Sequence, residues 1–430
     1  MSIMLNFETS QSLNFYRKIL IFTLITVLSI SCKTKSNNEE LDKLSVTVVH
    51  DETETNFESL NVVESAFSNA LKVYTLQIAS AKQEGKIPRT LGSNGEIMWT
   101  DETFDWTEGF FPGSLWYLFE ETEKEYFKNE AINFQELFLK HQFVTTNHDL
   151  GFIFNSSYGN GYRLTGSEEM RKVILNAANS LITRFNPVTG CIQSWDVSGT
   201  GGYSARGWLF PVIIDNMMNL ELLFKATELS NDDTYKNIAI SHIDTTLKNH
   251  FRDDYSSYHV VDYDPNTGEV RSRQTAQGLS DDSAWARGQA WGLYGFTMAY
   301  RFTNNALYLE HAEKIADFII KHSPADGVPY WDYNASQNNS EPRDASAAAV
   351  TFSALIELDE YSLKDYRQFI DKLMQTLSSK SYTAEIGENG NFIIKHCVGS
   401  IPHQAEIDVP LNYADYYYLE GLLRYKSKFL

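Results

Sequence analysis

Cysteine is nearly absent from this chain: 430 residues contain three, Cys32, Cys191 and Cys397. There is no CxxC pair and no HExxH, so neither a dithiol redox motif nor a metal site has sequence support. One Cys191–Cys397 disulfide and two buried free thiols remain equally open. Positive charge is also scarce. Thirty-six Lys and Arg stand against 56 Asp and Glu, for a formal charge of −20. That balance argues against nucleic acid and anionic membrane surfaces as partners. It does not exclude a small acidic ligand, because local arginines can dominate a cleft. Strand-like alternation is scarce too, and the apolar run ILIFTLITVLSIS over 19–31 is too short to span a bilayer comfortably.

That run has a different use. Arg17 and Lys18 precede it and Cys32 follows, which reads as a signal peptide over 1–31 with a lipoprotein-type cysteine at its end. The match is imperfect, since Leu28 stands four rather than three residues before Cys32. Lipidation of Cys32 is expected, with ordinary secretion as the alternative. Residues 32–55 then form a flexible tether and residues 56–430 a single domain. The chain is expected to be exported and held in a bacterial cell envelope, touching the membrane only through the lipid.

What the chain has in quantity is helical periodicity and aromatic side chains, with 24 Tyr, 26 Phe and 8 Trp. Amphipathic segments such as SEEMRKVILNAANSLITRF and KDYRQFIDKLMQTLSS carry apolar residues at three and four spacing. They alternate with small, aromatic and polar segments that begin near Trp106, His148, Gly207, Trp285, Arg343 and Asp408. Roughly six such pairs at an irregular period predict an all-α fold, an (α/α)6 barrel of six helix hairpins; an open solenoid is the alternative. The glycine-rich segment after His148 is the weakest member. Polar and aromatic residues cluster at one end of each inner segment, and a barrel gathers those ends around one pocket.

Two carboxylates stand out. Asp215 sits in the middle of the apolar run VIIDNMM within FPVIIDNMMNLELLF, read as one long apolar helix, and Asp149 sits in HDLGFIFNSSYG. Desolvation in such surroundings raises a carboxyl pKa and keeps a general acid protonated near neutrality. A buried aspartate bonded to a neighbouring helix explains either residue equally well. His148 and His259 are each open to a structural role. Arg287, between Trp285 and Trp291, is placed to fork onto a carboxylate or to pair with Asp281 or Asp282. Those two acids are otherwise expected at a helix N-terminus. Arg343 and Asp344 are expected to act alike at their own helix, as a mutual or inter-helix pair. Trp106, Trp195, Trp285 and Trp291 are candidates for a sugar platform, though each alone also reads as packing.

With these segments in view, WARGQAWGLYGFTMAYR resembles the signature helix of the unsaturated glucuronyl hydrolases, glycoside hydrolase family 88. WTEGFFPGSLW, HDLGF, VIIDNMMNLELL, YHVVDYDPNTGEV, TAQGLSDDSAWARGQAWG, PYWDYN with RDASAAA, and IDVPLNYADYYYLEGLLRY resemble family blocks in family order. The resemblance implies an (α/α)6 barrel that removes a 4,5-unsaturated glucuronyl residue from the non-reducing end of lyase-generated oligosaccharides. It does so by hydrating the C4=C5 enol ether, with no metal or organic cofactor. It places the general acid/base on Asp215 and the second aspartate on Asp149. Substrate-binding roles fall on Trp106, His148, His259, Gln277, Trp285, Arg287 and Trp291. Arg287 is implied to orient the substrate carboxylate or the catalytic acid. Trp195 matches more loosely. The stretch IKHCVGSIPHQAEIDVP departs from the serines and lysine of relatives that recognise sulfated fragments, and Lys395, Ser400 and His403 stand there instead. The aglycone therefore stays open between sulfated algal glucuronans and glycosaminoglycans. Rival expectations are an unsaturated rhamnogalacturonyl hydrolase, a non-catalytic glycan-binding surface lipoprotein, and a conventional inverting glycosidase.

Overall fold

Amphipathic and wholly apolar segments alternate along the chain because each amphipathic helix must lay its apolar stripe on something buried. The computed structural model describes residues 52–197, 206–338 and 340–430, within one compact unit, Asp51–Leu430. The expected signal peptide, Cys32 and most of the tether lie outside the described residues. A helix already begins at Glu52, inside the stretch read as tether.

Among the described residues the α-helices fall into six pairs. These are α1 (Glu52–Glu84) with α2 (Phe110–Thr122), and α3 (Glu125–Gln135) with a π-helix (Gly151–Gly159) continuing into α4 (Asn160–Thr165). Then come α5 (Glu168–Ile182) with α6 (Leu220–Ser230), and α7 (Asp233–Asn249) with α8 (Ala286–Thr303). The last are α9 (Ala306–His322) with α10 (Ala345–Tyr361), and α11 (Arg367–Leu377) with α12 (Asn412–Phe429). The second member of each pair is the inner one. The inner helices pack in sequence from α2 through the π-helix, α6, α8 and α10 to α12, and α12 closes the ring on α2. This is the (α/α)6 barrel that the alternation predicts.

The inner helices are buried nearly all round: α10 buries an unbroken run from Ala345 to Leu358. Outer α11 buries Phe369, Ile370, Leu373, Met374 and Leu377, the three and four spacing of one apolar stripe. Side-chain caps start several helices, with Ser167 bonding Met170 N, Asp232 bonding Thr234 N and Asn305 bonding Leu307 N. One outer segment departs from expectation. AINFQELFLKHQF is not a single α-helix, because α3 ends at Gln135 and tightens into a 3-10 helix over Glu136–Phe143.

Connection lengths decide where a site can be built. Passages from an inner helix to the next outer one are short turns, whereas passages from outer to inner are mostly long and carry all nine short strands of the described residues. These form four antiparallel sheets: β1 (Pro88–Leu91) with β2 (Ile97–Trp99), and β3 (Phe185–Asn186) with β4 (Cys191–Ile192). The others are β5 (Phe210–Ile213) with β6 (Val260–Tyr263) and β7 (Val270–Gln274), and β8 (Cys397–Ser400) with β9 (Ala405–Val409). All the long connections emerge at one end of the barrel, around the N-termini of the inner helices.

Candidate active site

Asp215 is not inside a long helix. FPVI pairs as β5 with β6, in register Ile213↔Val260, and the chain then tightens into a 3-10 helix over Ile214–Asn219 before α6 begins. A short apolar run carries no periodicity that separates strand from helix. The consequence is positional: Ile214 N donates to His259 O at 3.0 Å, so Asp215 emerges from the sheet beside His259. Its carboxyl is 12% exposed, and Oδ2 is buried with no hydrogen-bond partner. Burial pushes it up to about 7, against the opposing pull of the Arg287 charge and the Trp291 indole N–H.

Asp149 lies just before the π-helix. Gly151 lets that segment touch the Asp215 segment, since a Cβ there would sit 2.3 Å from Asn219 Cα. The contact is fixed by Phe152 N, which donates to Asn219 Oδ1 at 2.9 Å. The Asp149 carboxyl is pushed up to about 8, first by burial and then by the charge of Asp215. Two buried carboxyls thus stand near enough to resist ionising together. His148 Nε2 is 3.2 Å from Asp149 Oδ1. Burial holds His148 neutral, with its pKa down at about 3.

His259 is also neutral, lowered to about 3 by burial and then by the Arg287 charge. Its Nδ1 accepts from Ala276 N at 3.0 Å and Gln277 N at 3.1 Å. Two donors on Nδ1 fix the tautomer, so the proton sits on Nε2, which points towards Asp215 Oδ2 at 3.8 Å. Trp285 packs on the His259 ring at 4.6 Å. Trp291 is buried against Phe152 and Tyr417. Half-buried Trp106 packs against Phe152 and, at 4.9 Å, Tyr413. Gln277 Nε2 donates to Gly399 O at 3.2 Å, tying this wall to β8.

Arg287 is 1% exposed, and three of its five N–H donors are engaged, while its buried Nε has no hydrogen-bond partner. Nη1 donates to Asp344 Oδ2 at 3.2 Å and to Val398 O, and Nη2 donates to Gly399 O at 2.7 Å. The guanidinium also lies over Trp285, 4.6 Å from the ring centre. It therefore pins strand β8 and the N-terminus of α10, and it reaches Asp215 through its field.

The expected helix acids are placed differently. Asp281 and Asp282 precede a helix whose N-cap is Trp285, and Asp281 Oδ1 instead accepts from Thr275 N at 2.8 Å. Asp344 caps α10 through Ser346 N, while Arg343 pairs with Asp326 rather than Asp344. Trp195 stacks on Trp208 at 5.9 Å and faces His148 edge-on at 6.5 Å. Ser400 Oγ bonds His403 Nδ1 at 2.7 Å, whereas Lys395 Nζ is bound to Lys380 O at 2.7 Å. Asn219, Tyr413 and Trp208 were missed in the sequence. Asn219 was findable, one helical turn beyond Asp215; Tyr413 lay in a polar block but had no signal of its own.

The ring therefore brings Asp149, Asp215, His148, His259, Gln277, Trp106, Trp285, Arg287 and Trp291 to its long-connection end. A closed (α/α)6 ring with two proton-holding carboxyls among tryptophans at its mouth has the form of an acid–base glycosidase. Comparison with known proteins makes the class specific. The Glycosyl Hydrolase Family 88 model matches residues 82–428, and the chain belongs to that family. It is 39% identical over 421 residues, 96% of this chain and 100% of the relative, to an unsaturated glucuronyl hydrolase of Formosa agariphila. A crystal structure of an unsaturated glucuronyl hydrolase specific for heparin superposes with TM-score 0.80 at 46% identity, covering 85% of this chain and 97% of that one. A mutant of the Streptococcus agalactiae unsaturated glucuronyl hydrolase, complexed with dGlcA-GalNAc6S, matches with TM-score 0.72 at 28% identity over 90% and 98% of the two chains.

Proposed function

We propose that the chain removes the non-reducing-end 4,5-unsaturated glucuronyl residue from lyase-generated oligosaccharides by hydrating its C4=C5 enol ether. Protonated Asp215 gives its proton to C4, and the carboxylate it becomes stabilises the oxocarbenium character at C5. That carboxylate takes a proton from the water adding at C5. The resulting hemiketal opens and the aglycone leaves. Asp149, protonated to higher pH, bonds sugar hydroxyls, and the His259 Nε2–H donates into the same space. Arg287 acts by holding β8 and by drawing the Asp215 pKa down. The carrying observation is the placement at the barrel mouth of two buried carboxyls on segments locked together by the Gly151–Asn219 contact and the Phe152 N to Asn219 Oδ1 bond; relatives named as unsaturated glucuronyl hydrolases support the substrate. The test is loss of the ultraviolet absorbance of the conjugated enol ether on unsaturated disaccharides from ulvan, chondroitin, heparin, hyaluronan and pectin. Saturated disaccharides serve as controls. Turnover of saturated glycans, or none of the unsaturated ones, contradicts the reading.

We also propose that Cys32 is lipidated and anchors the chain in the cell envelope, on the strength of the basic and apolar run before it. Among the described residues no helix is long and apolar enough to cross a membrane. Metabolic labelling with a fatty acid should mark the wild type and not Cys32→Ser; equal labelling refutes the anchor.

A further inference from the structure

The turn that carries Asp215 ends on an asparagine whose hydrogen bonds go to an unexpected place. Asn219 stands at the N-cap of α6, where an asparagine side chain ordinarily bonds the first free amides of its own helix. Here it makes no cap bond. The residue is wholly buried, and its side chain is spent on the segment of Asp149 instead. Oδ1 accepts from Phe152 N at 2.9 Å, and Gly151, with no Cβ, lets the two backbones meet beside that bond. The bond also settles which way round the amide lies. An N–H faces one end, so the oxygen is there and the NH2 group is at the other. Nδ2 is therefore a donor, and it is buried without a close hydrogen-bond partner. A buried donor left unmatched is costly.

The group this donor acts on is the Asp149 carboxyl. Burial first, and then the Asp215 charge, push that carboxyl up; the Asn219 amide draws it back. Asp149 is otherwise held only from its own segment. Its backbone N donates to Asn147 Oδ1 at 2.9 Å, and His148 Nε2 stands 3.2 Å from Oδ1. A carboxyl steadied by one neighbour still turns about its last bond. A second hold, from the segment across the Gly151 contact, stops that rotation and leaves the carboxyl's own proton for a ligand.

We infer that Asn219 is a positioning residue for Asp149. One end of its amide holds the π-helix through Phe152 N and the other fixes the rotation of the Asp149 carboxyl, so the turn that carries the general acid also aims the second aspartate at the sugar. The inference rests on the hydrolase reading above. Asn219→Ala should lower kcat/KM for an unsaturated disaccharide about 10–100-fold, whereas the same replacement made in Asp149→Ala should change it by no more than about twofold. Losses that simply multiply in the double variant overturn the inference, because Asn219 then supports the fold and not that carboxyl. Should the alanine variant fail to fold, Asn219→Asp has the same size and keeps the acceptor for Phe152 N. The carboxyl it introduces competes with Asp149 for one proton instead of donating to it. Its kcat/KM should therefore still drop at pH 6 and 7, and a wild-type value there overturns the inference. NMR titration of 13C-labelled aspartate carboxyls, assigned with Asp149→Ala, needs no turnover. The Asp149 signal should titrate at higher pH in Asn219→Ala than in wild type, because the lost donor favoured the carboxylate; an unshifted signal overturns the inference. A wild type that turns over no unsaturated substrate but shows that shift would remove the hydrolase reading and leave the hold of Asn219 on Asp149 standing.

Discussion

Replacing Asp215 by Asn should abolish turnover and, at the same time, make the protein more stable at alkaline pH. The Asp215 carboxyl is raised from 3.8 to about 7. A group that holds its proton more tightly folded than unfolded contributes most below its unfolded pKa, and that contribution is lost as pH rises through the folded one. Stability should therefore decline from about pH 4 to pH 7 and then level off. A rise of about three pH units at ~1.36 kcal/mol each amounts to roughly 4 kcal/mol against the ionised form. Partial exposure and the coupled Asp149 reduce this, so a gain of about 1–3 kcal/mol for the Asn variant at pH 8 is expected. For a folded unit of this length that is roughly 1–4 °C in Tm. The gain should fade towards pH 5, while kcat drops by about 10²–10⁴-fold below pH 7, where the wild type still holds the proton. Thermal denaturation of both proteins between pH 5 and 8, with the absorbance assay run alongside, measures both quantities. An Asn variant less stable than wild type at pH 8, or a difference that does not change with pH, refutes the argument that this carboxyl is held protonated by burial.

Other perturbations separate holding from chemistry. Wild-type activity should fall as pH rises through about 7, where Asp215 loses the proton it must donate; a rate still climbing above pH 8 would exclude it as the acid. His259→Ala leaves the amides of Ala276 and Gln277 without their acceptor, which should cost on the order of 1–3 kcal/mol in denaturant unfolding besides lowering kcat. Arg287→Lys cannot reproduce the fork onto Asp344 and the β8 carbonyls and should destabilise by about 3–5 kcal/mol; unchanged stability would contradict the pinning role. Gly151→Ala should separate the two aspartate segments, since its methyl would meet Asn219 backbone at 2.3 Å, so it should lose activity even where the variant folds.

The barrel was legible because outer and inner helices obey different rules. Outer helices such as α11 have a stripe to hide, and inner ones such as α10 have no exposed face, so the alternation alone counts the hairpins. The sequence was least informative where apolar runs are short. FPVI looked helical and is a strand, and it is the strand that sets Asp215 beside His259. HDLGFIFNSSYG looked weak and runs from Gly151 as a π-helix, whose wider turn no residue spacing announces. Asp149 and Asp215 were readable as acids in apolar surroundings. Their proximity was not, because it depends on a glycine contact between segments more than sixty residues apart. Arg287 was legible as an arginine placed to fork onto a carboxylate, but its partners were not, since Asp344, Val398 and Gly399 come from distant parts of the chain.

The proposed reaction begins with protonation at C4 by a residue of the site rather than displacement at the anomeric carbon. Turnover of an unsaturated disaccharide in D2O, followed promptly by proton NMR of the product, examines that step directly. Enzymic protonation places deuterium on one face of C4 and gives a single deuterated diastereomer. Displacement at the anomeric carbon would release the sugar with its double bond intact, and ketonisation in solution would then deuterate both faces, which contradicts the account.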